Sequence, residues 1–228
     1  MNQRLNAIAA LVPDGIGLID VGTDHGYLPI YLAQHDYSGR LIASDLREGP
    51  LDSARRHAWL AGLEDRIVFQ CCDGLDQCAP DAVDTIVIAG MGGDTICGIL
   101  DRAEWCMDSR YLLVLQPMTK AEVLRYWLVY NEFAITQEIL VEDAGTIYSV
   151  FTARFGGNTV LNDAELYTGS FEQIRGQALC PRFLSQQKQR FERIEAGLRQ
   201  GNDPPGRLSV IRSVLHELEV MINDEDRQ

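Results

Sequence analysis

The 228-residue chain lacks a long apolar run, since no stretch approaches the roughly 18 apolar residues of a membrane-spanning helix. It also lacks a Cys-x-x-Cys pair, so its six cysteines do not have zinc-finger spacing and are expected to be buried thiols. Residues 1–4 lead into a short apolar stretch that Pro13 interrupts, without the hydrophobic region of a signal peptide. We therefore expect a cytoplasmic protein with no membrane segment and no metal.

Positive charge is scarce in this sequence. Twenty Lys and Arg oppose 33 Asp and Glu, which gives a formal net charge of −13. Such a surface repels phosphate and disfavours nonspecific coating of nucleic acid. The charge is uneven, however, because residues 180–212 contain seven basic and three acidic side chains, a local net charge of +4.

Up to about residue 155 the sequence alternates between short apolar strands and amphipathic helices. This pattern is typical of an α/β fold with a parallel sheet covered on both faces. The predicted strands span 17–22, 40–44, 66–71, 84–89, 110–115, 133–141 and 146–154, and the predicted helices span 26–35, 48–61, 94–102 and 119–129.

The strand pattern stops at Gly156-Gly157-Asn158, so we predict one domain of residues 1–156 and a second of residues 157–228. The second contains two apolar stripes at helical spacing, from Leu184 to Leu198 and from Leu208 to Ile222. Breaker residues 202–206 separate them. This arrangement predicts a C-terminal helical hairpin.

The strongest local signal is Asp20-Val21-Gly22-Thr23-Asp24-His25-Gly26, which follows the first strand. A nicotinamide dinucleotide site needs Gly-x-Gly-x-x-Gly to seat a pyrophosphate. This loop instead has Gly-x-x-x-Gly with a carboxylate between the glycines, which would repel phosphate. The loop is compatible with a cofactor that carries a cation and no phosphate, such as S-adenosylmethionine, or with a plain strand-to-helix turn.

Carboxylates also end the next two strands. Asp45 can accept hydrogen bonds from both ribose hydroxyls, as in NAD and S-adenosylmethionine sites alike, or it can cap the following helix. Asp73 can accept from an adenine amino group, with Gly74 allowing the ring to lie close, or it can form an Asx turn. Together with Asp20, these acidic strand ends predict one adenosine site, because ligands bind at the carboxyl ends of such strands.

The fourth strand ends in Gly90-Met91-Gly92-Gly93. The Asn-Pro-Pro-Tyr motif, which many enzymes that methylate exocyclic amines of bases carry here, is absent. The glycines leave room for a flat substrate beside the methyl group, or alternatively they serve close packing.

Four segments resemble the bacterial tRNA (adenine(22)-N(1))-methyltransferases: residues 20–29, 73–75, 88–93 and 115–117. The resemblance implies a Rossmann-like class I methyltransferase sheet, mostly parallel with a C-terminal antiparallel strand, followed by a helical hairpin. It also implies S-adenosylmethionine as cofactor and N1 of an adenine in the tRNA D-arm as acceptor. By position it assigns to the cofactor site Gly22, His25, Asp45, Asp73, Gly74 and Gly90, and to the methyl group or target base Met91 and Gly92.

Other residues have candidate roles in this reaction. Asp24 and Gln116, both at strand ends, are candidates for stabilising the cation that forms when adenine is methylated at N1. His25 is either a proton relay or a side chain packed under the cofactor, and Tyr27 either stacks on a base or belongs to the core. The basic window is expected to contact tRNA phosphates, with a solvated helix face as the alternative. The residues proposed for this contact are Lys188, Arg190 and Arg193.

Two other functions stay open on the sequence. One is a methyltransferase that acts on a protein or a small molecule. The other is a Rossmann-like binding module that has kept the fold and lost turnover, although the intact set of Asp20, Asp45 and Asp73 argues against it. We expect a monomer or a weak homodimer.

Overall fold

The computed structural model describes residues 2–200, 206–225 and 227. Its centre is a seven-stranded sheet in the order β3-β2-β1-β4-β5-β7-β6. Of these described strands β7 alone runs in the direction opposite to the other six. The strands are β1 Gly17–Val21, β2 Arg40–Asp45, β3 Ile67–Cys71, β4 Thr85–Gly92, β5 Leu112–Thr119, β6 Phe133–Asp143 and β7 Thr146–Phe155.

Helices connect and cover these strands. In the described part of the chain they are α1 Gln3–Ala10, α2 Tyr27–Gln34, α3 Glu48–Leu60, α4 Gly93–Arg102, α5 Ala121–Tyr130, α6 Asp163–Thr168, α7 Phe171–Ile174, α8 Cys180–Gln200 and α9 Arg207–Glu225. Short 3-10 turns precede β3, β4 and β5.

Side chains of the strands alternate between the two faces of the sheet, and helices cover both. Ile19 and Val21 pack on one face with residues of α4 and α5, whereas Leu18 packs on the other face with residues of α1, α2 and α3. Every residue of β1 is buried. A parallel sheet that is covered on both sides therefore accounts for the nearly continuous apolar strands of the sequence.

The strand order reverses between β1 and β4. After β3 the chain crosses back and pairs β4 with the free side of β1. The loops diverge at the carboxyl ends of these two strands, which is where open α/β sheets bind ligands. Strand β6 runs in the same direction as β5, because both are antiparallel to β7, so Asp143 lies at this same edge.

The two C-terminal helices α8 and α9 pack against each other and against the β6–β7 hairpin. Leu184 and Leu218, one from each predicted apolar stripe, share a buried cluster with Leu140 and Ile147 of the hairpin. The helical pair predicted from the sequence is therefore present. Its predicted breaker at 202–206 lies, except for Gly206, outside the described residues.

The predicted α/β fold class is confirmed, and each predicted strand and helix is found. Strands β4 and β5 continue to Gly92 and Thr119, beyond their predicted ends, and α1, α6 and α7 were not predicted. Five of the six cysteines are buried, and all six are free thiols. Among the described residues no helix is long and apolar enough to cross a membrane, and no cluster of His, Cys, Asp and Glu is arranged to hold a metal.

Candidate functional site

A cleft of about 820 Å³ opens at the carboxyl edge of the sheet, where the ends of β1 and β4 separate. Its walls also include the ends of β2 and β3 and residues of α1 and α4. The predicted site residues that line it are Asp20, Gly22, Asp24, Tyr27, Asp45, Asp73, Gly74, Gly90 and Met91. The strand topology thus brings most of the predicted site into one place.

The turn between β1 and α2 uses backbone conformations that glycine favours. Gly22 and Gly26 have φ angles of 72° and 71°, and Asp24 between them has a φ of 52°. The Gly22 amide donates to the Ser44 carbonyl at 2.8 Å, which ties the turn to β2. A Cβ on Gly22 would collide with the Met91 methyl group, so Met91 packs directly over the turn.

Asp20 is the penultimate residue of β1 and lines the cleft, where its side chain is buried. Its carboxylate accepts a hydrogen bond from Thr23 Oγ1 at 2.7 Å. Burial raises the pKa of Asp20 from 3.8 to about 6; the bond from Thr23 opposes this rise, and the negative charge of Asp45 adds to it. A carboxylate in this state favours a cationic ligand, because the cation stabilises its charged form.

Asp45 is the last residue of β2, and its side chain binds the backbone of two loops. Its carboxylate oxygens accept from the backbone amides of Asp24, at 3.4 Å, and of Arg47, at 3.0 Å. Helix α3 begins at Glu48 with Arg47 as its N-cap residue, so Asp45 does not cap this helix. An ionised carboxylate offers about four acceptor sites, so Asp45 can accept further hydrogen bonds from a ligand in the cleft.

Asp73 follows β3 at the far end of the cleft and pairs with a cation from α4. Its Oδ1 accepts from Arg102 Nη2 at 2.8 Å, and Arg102 Nε also donates to Asp76 at 3.2 Å. Gly74 has a φ of 58°, and a Cβ there would come within 2.9 Å of Ile99. Glycine at this position therefore lets the loop after β3 lie directly against α4.

The irregular end of β4, at Gly90 and Met91, forms a loop at the opposite end of the cleft. Gly90 has a φ of 80°, and Gly92 is the N-cap residue of α4. Gln116 of β5 is buried behind this loop, and its Oε1 accepts from the Gly90 amide at 3.2 Å and from Arg4 Nη1 at 2.5 Å. Neither Gln116 nor Gly92 is among the residues that line the cleft, so Gln116 acts on the loop from behind.

Three cations that line the cleft, Arg4, Arg47 and Arg102, were not predicted from the sequence. Arg4 lies on the unpredicted helix α1. The available signal was Asn2, whose Oδ1 accepts from the Leu5 amide at 2.9 Å and caps the helix. Nothing in the local sequence marks Arg102, because Asp73 precedes it by 29 residues.

Aromatic rings flank the β1–α2 turn. Tyr27 is half-exposed on the cleft and stacks on His57 of α3, with ring centroids 5.5 Å apart. The His25 ring centroid lies 5.4 Å from that of Tyr27, and its Nε2 lies 3.5 Å from the Asp24 carboxylate. The His25 side chain packs beside the turn, and His25 is not among the residues that line the cleft.

The three basic residues predicted to contact tRNA lie on α8, away from the cleft lining. Lys188 is paired with Glu219 of α9 at 3.1 Å. Arg190 and Arg193 are exposed, and within the described residues neither forms an ion pair. The guanidinium of Arg190 lies 5.9 Å from the centroid of the Tyr167 ring. The roles assigned to all the site residues stay predictions.

Comparison with known proteins identifies close likenesses. A family model described as a methyltransferase domain matches residues 1–151. The tRNA (adenine(22)-N(1))-methyltransferase of Bacillus subtilis (strain 168) is 28% identical over 226 residues, covering 97% of this chain and 95% of that protein.

Two crystal structures share the fold over nearly their whole length. That of the B. subtilis m1A22 tRNA methyltransferase TrmK has a TM-score of 0.79 at 28% identity and covers 100% of this chain and 97% of that chain. That of Streptococcus pneumoniae Sp1610, a proposed tRNA (m1A22) methyltransferase in complex with S-adenosyl-L-methionine, has a TM-score of 0.80 at 29% identity and covers 96% and 98%.

These likenesses confirm the resemblance that the four sequence segments indicated, and the fold class that it implied. The family model covers the chain from α1 into β7 and leaves the C-terminal helices outside its match. Since this match extends over more than half of the sequence, the chain belongs to the methyltransferase domain family.

Proposed function

We propose that this protein is an S-adenosylmethionine-dependent tRNA methyltransferase that acts on N1 of adenine 22 in the D-arm. The observation that carries the proposal is the convergence of Asp20, Asp45 and Asp73 on one cleft, at the ends of three adjacent parallel strands. Carboxylates in these places disfavour a pyrophosphate and suit an adenosine attached to a cationic sulfur. The likeness to the B. subtilis enzyme over nearly the whole chain supports the acceptor.

The residues of the cleft fit the chemistry of this cofactor. Asp45 would accept hydrogen bonds from the ribose hydroxyls, and Asp73 would accept one from the adenine amino group. Asp20, whose pKa burial raises to about 6, would be held in its charged form by the cationic groups. When bound, S-adenosylmethionine supplies an electrophilic methyl group on its sulfonium.

The acceptor needs positioning more than activation. Adenine N1 carries a lone pair that attacks directly, so no covalent intermediate with the enzyme is required. Positive charge develops on the base, and Asp24, which lines the cleft, would stabilise it. Gln116 would act through the Gly90 amide by holding the irregular end of β4 in place. Tyr27 would offer its exposed ring to the base, and Met91 would border the reacting atoms.

The C-terminal helices contain the basic side chains of the window 180–212, whereas the chain as a whole is acidic. Helix α8 begins at the same edge as the cleft, since Arg182 pairs with Glu142 near the end of β6 at 2.5 Å. Burial raises the pKa of the Tyr167 phenol, the negative charge of Glu122 at the start of α5 adds to the rise, and the positive charge of Arg190 opposes it. We place the boundary between catalytic and tRNA-contacting parts at residue 156.

Primer extension tests the proposed reaction, because a methyl group on N1 blocks base pairing. After incubation of tRNA with the protein and S-adenosylmethionine, we expect a new stop at one adenine of the D-arm. Labelled cofactor that modifies a protein extract and not tRNA would contradict the proposal in favour of another methyl acceptor. Tight binding of S-adenosylhomocysteine without any transfer would favour a binding module.

The proposed tRNA contact is tested by reversing two charges on α8. In the variant Arg190→Glu with Arg193→Glu, we expect weaker tRNA binding and a salt dependence of log Kd that is shallower by about two. The affinity for S-adenosylhomocysteine should not change.

A matched control reverses Arg110 and Arg154, which meet at the amino edge of the sheet, where Arg154 Nη1 donates to the Arg110 carbonyl at 3.3 Å. This control changes the net charge by the same amount as the α8 variant, but at the edge of the sheet opposite the cleft. Equal tRNA affinity in the two variants would show that α8 has another role.

A further inference from the structure

Arg102, in the last turn of α4, uses all three of its guanidinium nitrogens. Nη2 donates to Asp73 Oδ1 at 2.8 Å, Nε donates to Asp76 Oδ1 at 3.2 Å, and Nη1 donates to the Gly98 carbonyl at 3.1 Å. The planar cation is thereby fixed on its own helix and holds two carboxylates of the loop after β3 in one arrangement.

This contact leaves one oxygen of Asp73 available to a ligand. Within the described residues Asp73 Oδ2 accepts no hydrogen bond, and the side chain is 58% exposed at the lining of the cleft. A Cβ on Gly74 would lie 3.3 Å from Arg102 Nη2, so the guanidinium packs tightly against this loop. Because Asp76 and the Gly98 carbonyl also hold Arg102, an Asp73 side chain that turns away from the cleft loses its bond to the guanidinium.

We propose that Arg102 is a positioning residue for base specificity: it fixes Asp73 so that the remaining carboxylate oxygen selects the amino group of adenine over the carbonyl of hypoxanthine. The inference rests on the proposed function, since it requires an adenosine cofactor in the cleft. Hypoxanthine presents an acceptor where adenine presents a donor, and two acceptors repel. A mobile Asp73 turns away from that carbonyl, whereas a fixed one cannot.

Arg110 is a matched control for this role. It also pairs with two carboxylates, with Asp81 at 2.9 Å and with Asp108 at 3.7 Å. Its side chain is 49% exposed, against 44% for Arg102. Arg110 is not among the residues that line the cleft, so its loss removes a comparable surface ion pair without touching the proposed base site.

The test is calorimetry with S-adenosylhomocysteine and S-inosylhomocysteine on the full chain. The unmodified protein should bind the adenosyl ligand at least about tenfold more tightly. In Arg102→Met that ratio should fall towards one, because Asp73 can then rotate away from the hypoxanthine carbonyl. Arg102→Lys, which keeps a cation beside Asp73, should restore an intermediate ratio, and Arg110→Met should keep the original ratio.

Other outcomes overturn the inference. A ratio that Arg102→Met leaves unchanged, or an equal loss of affinity for both ligands, would mean that Arg102 only supports the loop. If the unmodified protein binds neither ligand, the proposed function fails and the inference fails with it. If it binds the adenosyl ligand and Arg102 does not affect the ratio, only the inference fails.

Discussion

The cleft and the junction between β6 and the C-terminal helices each contain an arginine paired with a carboxylate. At the junction Arg125 and Glu138 pair with both side chains fully buried. At the cleft the side chains of Arg102 and Asp73 are 44% and 58% exposed. Both pairs join a guanidinium to a carboxylate, so they differ in burial and not in chemistry. The buried pair stabilises the fold, whereas the exposed pair can contact a ligand.

The junction pair connects several elements at once. Arg125 of α5 donates through Nη1 to the Leu166 carbonyl of α6 at 2.8 Å, and Glu138 of β6 accepts from the Ser170 amide at 3.3 Å. Burial raises the pKa of Glu138, and the charge of Arg125 opposes that rise. Protein groups bind Arg125 Nη1 and Nη2 and both oxygens of Glu138, and of the guanidinium only Nε has no hydrogen-bond partner within the described residues. Asp73 in the cleft instead keeps an acceptor for a ligand.

The largest expected effect comes from breaking the junction pair. Glu138→Ala would leave the buried guanidinium of Arg125 without its partner, which typically costs about 3–5 kcal/mol of unfolding free energy. Chemical denaturation measures this loss. The control is Glu142→Ala, whose pair with Arg182 lies at the surface and should contribute about 0–1 kcal/mol. Equal losses in the two variants would remove the distinction between buried and exposed pairs.

Asp20 gives the second prediction, because it is a buried carboxylate inside the cleft. Its pKa is about 6 in the folded protein against 3.8 ordinarily, so the folded state binds the proton more tightly. The resulting stability is fully present below pH 3.8 and is lost as the pH rises to about 6, a change of roughly 3 kcal/mol. Relative to Asp20→Asn, the unmodified protein should therefore lose stability across this window.

Denaturation of both proteins at a series of pH values measures the difference. A cation that binds beside Asp20 favours its charged form, so the affinity for S-adenosylmethionine should rise with pH up to about 6 and then level off. If the difference in unfolding free energy between the unmodified protein and Asp20→Asn does not change with pH, Asp20 is not buried as described. The contrast between this buried carboxylate and exposed carboxylates would then not hold.

The sequence predicted the acidic strand ends well and the cations of the site poorly. Asp20, Asp45 and Asp73 each lie at or just beyond the carboxyl end of an apolar strand, so a local pattern and the topology rule were enough to bring them together. Arg4 and Arg102 depend on contacts with residues 112 and 29 positions away, which no local pattern contains.

Two other differences have equally physical causes. Gln116 was expected at the site as a catalytic group, but β5 is covered on both faces, so its apolar sequence does not show which way a side chain near its end points. Helices α6 and α7 have only six and four residues, too few for apolar periodicity to reveal them.

The third prediction concerns the ribose end of the cleft. Asp45→Asn keeps an oxygen that accepts a hydrogen bond but removes the charge, so the affinity for S-adenosylhomocysteine should fall at least about tenfold. Calorimetry measures this loss. Asp52→Asn, an exposed change on α3 beside Arg55, is the control and should leave the affinity unchanged. Equal affinities in the two variants would mean that Asp45 only braces the turn.

The smallest effect is expected on α8, where one basic side chain is paired and a neighbouring one is not. Lys188→Met removes surface pairs with Glu219 and Glu192, which should change the unfolding free energy by about 0–1 kcal/mol. Because Glu219 already neutralises part of its charge, Lys188 should contribute less to tRNA binding than Arg190. Filter binding of Lys188→Met and Arg190→Met at one salt concentration compares them. Equally weak tRNA binding by both variants would mean that pairing with a surface carboxylate does not reduce a cation's attraction for phosphate. Solvent screening, and not pairing, would then determine how strongly the charged side chains of α8 attract phosphate.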